Sequence, residues 1–157
     1  MSVLKNKRSE SKAEFVNTAN RIYVETINFL SRLSARYSRL LAEPIAKLAS
    51  DVVSNAEAAN NIYPKDEITL KLRTEHMLEA RAALSALDVE MALCYEVMLT
   101  NPQGCFTTPS GKSLPPEEAS YKLEKMSQSL GELIDTEVKL LTSVMKSDKG
   151  LFAKKGV

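Results

Sequence analysis

The stretch from Arg73 to Met98, RTEHMLEARAALSALDVEMALCYEVM, constrains the fold more than any other part of this chain. Met77, Ala80, Leu84, Leu87, Met91, Cys94 and Met98 recur at alternating steps of three and four, which lines them along one side of a helix. At about 100° per residue, Ala82, Ala86, Val89, Leu93 and Val97 fall on nearly the opposite side, so apolar material occupies two faces. Charge is confined to the flanks between them, Arg81 and Asp88 on one side, Glu79 and Glu90 on the other. A helix built this way needs two partners. The first is its own bundle, and the second is another helix of the chain or a second subunit. Ala82, Ala86, Val89, Leu93 and Val97 are therefore the expected oligomer interface.

The rest of the chain agrees with an all-α fold. Only five glycines and no tryptophan among 157 residues favour long regular elements over a turn-rich β architecture, and that length suits one domain with a real core. No apolar run approaches the roughly 20 residues that cross a bilayer, and MSVLKNKRSESK lacks the apolar centre of a signal peptide. A cytoplasmic protein without membrane contact is the expectation. Cys94 and Cys105 have no CxxC or Cys/His spacing around them, which points to free thiols rather than a disulfide or a zinc site.

In chain order, residues 1 to 10 read as a flexible basic N-terminus, 11 to 146 as a four-helix bundle and 147 to 157 as a flexible tail. The first helix is expected from Ser11, which has capping-box spacing to Glu14, and it buries Phe15, Ala19, Ile22, Thr26, Phe29, Leu30 and Leu33. Ser34 is placed to cap a second helix reaching Tyr63, with Tyr37, Leu41, Ile45, Leu48, Val52, Ala56 and Ala59 inward. Pro44 predicts a kink there, or a short helix ending before it. Tyr63-Pro64-Lys65-Asp66 breaks the pattern, and Asp66 opens the third helix, which Asn101-Pro102-Gln103-Gly104 stops near Leu99. Residues 101 to 116 hold four prolines and two glycines, a connection longer than bundles normally use and so either functional or mobile. Pro115-Pro116-Glu117-Glu118 starts the last helix, whose stripe is Ala119, Leu123, Met126, Leu130, Ile134, Leu141, Val144 and Met145. Four long helices in succession imply an antiparallel, up-down-up-down bundle.

A search for chemistry finds no catalytic, metal or cofactor set. Gly104 to Ser113 has the flavour of a phosphate-binding loop, but two residues too many separate its glycines and no strand precedes it. The single histidine, His76, cannot build the paired Glu-x-x-His repeats of a di-iron bundle, and no nucleophile context accompanies it, so it reads as a partly buried residue at a helix start. Glu137 projects into the apolar stripe of the last helix. Either it makes a buried ion pair with His76, Arg73 or Arg81, or it sits at the stripe edge and reaches water. The chain is expected not to be an enzyme.

Charge is unevenly spread. Residues 1 to 49 carry nine Lys/Arg against four Asp/Glu, whereas residues 50 to 120 carry five against eleven, so any anion-binding face lies at the front. The candidate nucleic-acid contacts are Lys5, Lys7, Arg8, Arg21, Arg32, Arg36, Arg39 and Lys47. Against this, Glu43 lies four residues from both Arg39 and Lys47, a spacing that makes ordinary surface ion pairs.

Two stretches, INFLSRLSARYSRLLAEPIAKLASDVVSNAEAANNIYP and the Arg73–Met98 segment, resemble the four-helix bundle family of ribosomal-RNA intervening-sequence proteins and accessory proteins of diversity-generating retroelements. The likeness is one of helical pattern over residues 20 to 145. In the retroelement branch it implies a ring-shaped homo-oligomer, a pentamer in that family, that associates with a reverse transcriptase and its structured RNA or RNA–DNA. Arg32, Arg36 and Arg39 would then lie around the junction of helices one and two. This chain departs from the branch in its near-neutral charge, in Leu33-Ser34 where a proline is common, and in its long third loop. The leading expectation is thus a non-enzymatic oligomeric accessory protein of a reverse transcriptase. The rival is a protein-only adaptor that docks a partner polypeptide without nucleic acid.

Overall fold

The computed structural model describes residues 13–155 and contains four helices: α1 (Glu14–Leu30), α2 (Ala35–Asn60), α3 (Glu67–Thr100) and α4 (Pro116–Lys155). Each packs against its neighbour in sequence and α1 also packs against α4, leaving α1/α3 and α2/α4 as diagonals of a closed four-helix bundle. The core is what the spacing of apolar residues dictates. All seven residues of the first α3 seam are buried, and Ile22 and Phe29 of α1, Ile45 and Val52 of α2, and Leu123 and Leu141 of α4 meet them.

Helix ends follow local chemistry, with departures in three places, the first of them along α1 and α2. Asp66 accepts the Thr69 backbone N–H at 2.8 Å while Thr69 Oγ1 accepts the Asp66 N–H at 3.0 Å, a reciprocal cap that fixes the start of α3. By contrast α1 begins at Glu14 after an extended Ala13, so Glu14 occupies the first turn rather than closing a capping box; Ser11 lies outside the described residues. Ser34 does precede α2, but its side chain makes no cap bond. Pro44 stands exposed inside α2, which runs through it from Ala35 to Asn60, so the expected early end is absent.

The second departure is at the C-terminal end. The tail expected from Ser147 is instead the continuation of α4 to Lys155, and Asp148 is buried there. Its carboxylate accepts from Arg73 Nε at 2.6 Å, while Arg73 Nη1 donates to the carbonyls of Ala59 and Ile62 at 3.0 and 3.1 Å. One guanidinium thus joins the start of α3 to the end of α4 and to two carbonyls at and just beyond the end of α2.

The third departure is the long connection. Residues 101–115 fold back over the α1–α2 corner, burying Cys105 and Phe106 completely and Leu114 nearly so. Ser34 N–H donates to the Cys105 carbonyl at 2.9 Å and Thr107 N–H to the Arg32 carbonyl at 2.7 Å, while Phe106 packs on Phe29 with ring centroids 5.8 Å apart. A turn closes on itself through Thr108, Gly111 and Lys112, and Gly104 and Gly111 take φ of 68° and 88°, the left-handed region in which glycine is strain-free. The loop is a plug at one end of the bundle.

Candidate nucleic-acid and subunit interfaces

The basic residues predicted to form one surface divide into three groups. Arg32 and Arg36 belong to the plug. Arg32 Nε donates to the Thr107 carbonyl at 2.8 Å with its guanidinium 5.8 Å from the centre of the Phe106 ring, and Arg36 Nη2 donates to the Gln103 carbonyl at 3.2 Å while lying 4.7 Å over Tyr37. Tyr37 Oη adds a bond to the Asn101 carbonyl at 3.4 Å. These arginines donate to loop carbonyls and so tie the plug to the α1–α2 corner. Arg21, Arg39 and Lys47 point outward, with Lys47 Nζ 3.0 Å from Asp51 rather than paired with Glu43. Lys5, Lys7 and Arg8 lie outside the described residues.

Glu137 is fully buried, and neither carboxylate oxygen has a hydrogen-bond partner among the described residues. Of the three anticipated partners, Arg73 holds Asp148, His76 Nδ1 lies 3.1 Å from Asn55 Oδ1, and Arg81 makes no hydrogen bond to the carboxylate. Neither the ion pair nor the water-facing edge position describes it. Burial pushes its pKa from 4.5 to about 8, so the group is protonated at neutral pH. Cys94 is raised to about 11, first by burial and then by Cys105 nearby, and burial raises Cys105 as well, which keeps both as unreactive thiols. A cleft of about 370 Å³ between α1 and α4 has Phe29, Met126 and Leu130 on its floor. The Glu25 carboxylate on its rim accepts from Ser129 Oγ at 3.2 Å, and Lys125 lines the same cleft. Among the described residues, no three His, Cys, Asp or Glu side chains are placed to hold a metal ion, and no helix is long and apolar enough to cross a membrane.

The second seam of α3 is left uncovered by the fold of one chain. Val89, Leu93 and Val97 are 59%, 53% and 44% exposed, Ala82 is exposed and Ala86 half-buried. Ile68 at 71% and Leu72 at 44% extend the same face toward the start of the helix, a continuation that lay just outside the stretch singled out by its spacing. Sequence reasoning also missed the plug, although an apolar Cys105-Phe106 pair inside a polar loop is itself a signal, since two such side chains seek burial. No family model, no curated protein and no solved structure matches this chain.

Proposed function

We propose that this chain is a non-enzymatic, self-associating four-helix accessory protein. The observation that carries the reading is the exposed apolar face of α3, where Val89, Leu93 and Val97, with Ile68 and Leu72 beyond them, stand in water along one helix, the kind of patch that marks an interaction site. Its partner machinery, by the resemblance of its helical pattern, is a reverse transcriptase and structured RNA, with Arg21, Arg39 and Lys47 as the outward cations. A protein-only adaptor is the second reading, and a specific observation favours it: Arg32 and Arg36, two of the three arginines around the α1–α2 corner, are spent on the plug.

Light scattering tests the common part. At tens of micromolar, the chain should run as an oligomer and Leu93→Lys as a monomer with unchanged helix content; a monomeric parent chain refutes self-association. Titration with a structured RNA at two salt concentrations separates the two readings. Binding that weakens steeply with salt and falls on Arg39→Ala supports the nucleic-acid role, and absence of binding leaves the adaptor.

A further inference from the structure

Where the end of α3 meets the start of α4, an open groove of about 520 Å³ lies between the two helices. Tyr95 and Leu99, one turn apart, form its α3 wall. Glu117, Tyr121 and Glu124, at steps of four and three, share one face of α4 and form the other, with Pro116 at the end of that wall. Ser120, between the walls, is too small to fill the space.

The chemistry of the groove has one sign. Its apolar surface comes from the two tyrosine rings, Leu99 and Pro116, with Leu99 and Tyr121 40% and 57% exposed. Both charged groups lining it are carboxylates, and neither makes an ion pair among the described residues. Lys125 stands on the flank of α4 beyond Tyr121, its Nζ 5.0 Å from the centre of that ring, so the ring already accepts a cation. An occupant must therefore carry positive charge on an apolar body, and a phosphate backbone would be repelled.

Spacing narrows the occupant further. Glu117 and Glu124 are separated by seven helical residues, about 10 Å at 1.5 Å per residue. Residues three apart in a polyproline II segment project to the same side and lie about 9 Å apart. In a β-strand the same-side separations are about 7 and 14 Å, which fall on either side of the carboxylate spacing. Arginine suits both positions, because its planar guanidinium forks onto a carboxylate and also lies flat on an aromatic ring. We propose that this groove binds a polyproline II segment of a partner protein carrying Arg-x-x-Arg, with one guanidinium at Glu117, the other at Glu124, and the intervening residues over Tyr95 and Tyr121. Tyr95 and Leu99 face a different side of α3 from Val89 and Leu93, so the proposal goes beyond self-association and stands whether or not copies associate.

Fluorescence anisotropy of a labelled Gly-Arg-Pro-Pro-Arg-Gly peptide, titrated with the full chain, tests this. The peptide should bind with a Kd below about 1 mM. The double variant Glu117→Gln, Glu124→Gln should weaken binding about threefold to tenfold, the worth of two exposed ion pairs. Tyr121→Leu should weaken it about twofold to fivefold, whereas Tyr121→Phe keeps the ring and the affinity. All three side chains are exposed, so circular dichroism should show unchanged helix content in each variant. Absence of binding up to about 1 mM overturns the proposal. So does an equal loss on Glu132→Gln with Asp135→Asn, two exposed acids of α4 outside the groove. Equal affinity for Gly-Arg-Pro-Arg-Gly, in which the arginines are two apart, overturns the polyproline II register.

Discussion

Replacing Glu137 by glutamine should abolish a pH dependence of stability whose size follows from the burial of that side chain. In the unfolded chain the carboxyl ionises near 4.5, and in the bundle only near 8, because no cation or donor compensates for its removal from water. Below pH 4.5 both states hold the proton and the group costs nothing through ionisation. As the pH rises, the unfolded state releases its proton first, so stability falls until the folded carboxyl also ionises near pH 8 and then levels off. At about 1.4 kcal/mol per unit, the loss is roughly 4 kcal/mol between pH 5 and 8. The other large influences act outside this window: hydrogen bonds from Thr69 hold Asp66 below the ordinary carboxylate range, and burial lifts both thiols above 9. Urea unfolding followed by circular dichroism at pH 5, 6, 7 and 8 measures this, best in the Leu93→Lys background so that association does not contribute. The Glu chain should lose stability steadily with pH. Glu137→Gln should vary by less than about 1 kcal/mol and exceed the Glu chain at pH 8, by an amount reduced by the cost of burying an unpaired amide. A flat profile for the Glu chain, or the same slope in both, would show that the carboxyl is solvated or paired and refute the argument.

Two further predictions concern the ends of the bundle. Arg73→Ala removes a guanidinium that serves Asp148, Ala59 and Ile62 together and should cost about 3 kcal/mol, while in a double-mutant cycle with Asp148→Asn the two losses should fall short of additive. Full additivity would mean that the pair does not interact. Phe106→Ala should cost about 3 to 4 kcal/mol through the cavity it leaves against Phe29 and should expose Cys105, so that one thiol reacts rapidly with Ellman's reagent where the parent chain's two thiols are slow; equal slow rates in both chains would show that the plug survives without its ring.

How far the sequence could be read depended on whether a feature is local. The buried seam of α3 was legible residue by residue, because a helix that packs on one side must repeat its apolar positions every three or four residues, and Met77 to Met98 do so without exception. The Asp66 cap was legible for the same reason, all its atoms lying within four residues. Partners across the bundle were not. Arg73 was one of three candidates for Glu137, but spacing along one helix does not set the register of its neighbour, and Arg73 meets Asp148 three turns further on. The stretch after Ser147 looked frayed because it is poor in large apolar residues, yet one charged pair and the carbonyls of α2 give it a seat. Among the proposed cation sites, Arg32 and Arg36 show the same limit: their type and position fit phosphate binding, and only the folded loop reveals the carbonyls they serve.

The plug has a practical consequence for anyone wishing to attach something to this bundle. Its inner half, Gly104 to Thr107, is bonded to the α1–α2 corner, whereas Pro109, Ser110 and Gly111 form an exposed tip facing away from it. A peptide tag or fluorophore grafted between Pro109 and Ser110 would project from the molecule and leave the helices seated. The same graft three residues earlier would pry Phe106 off Phe29 and open the corner.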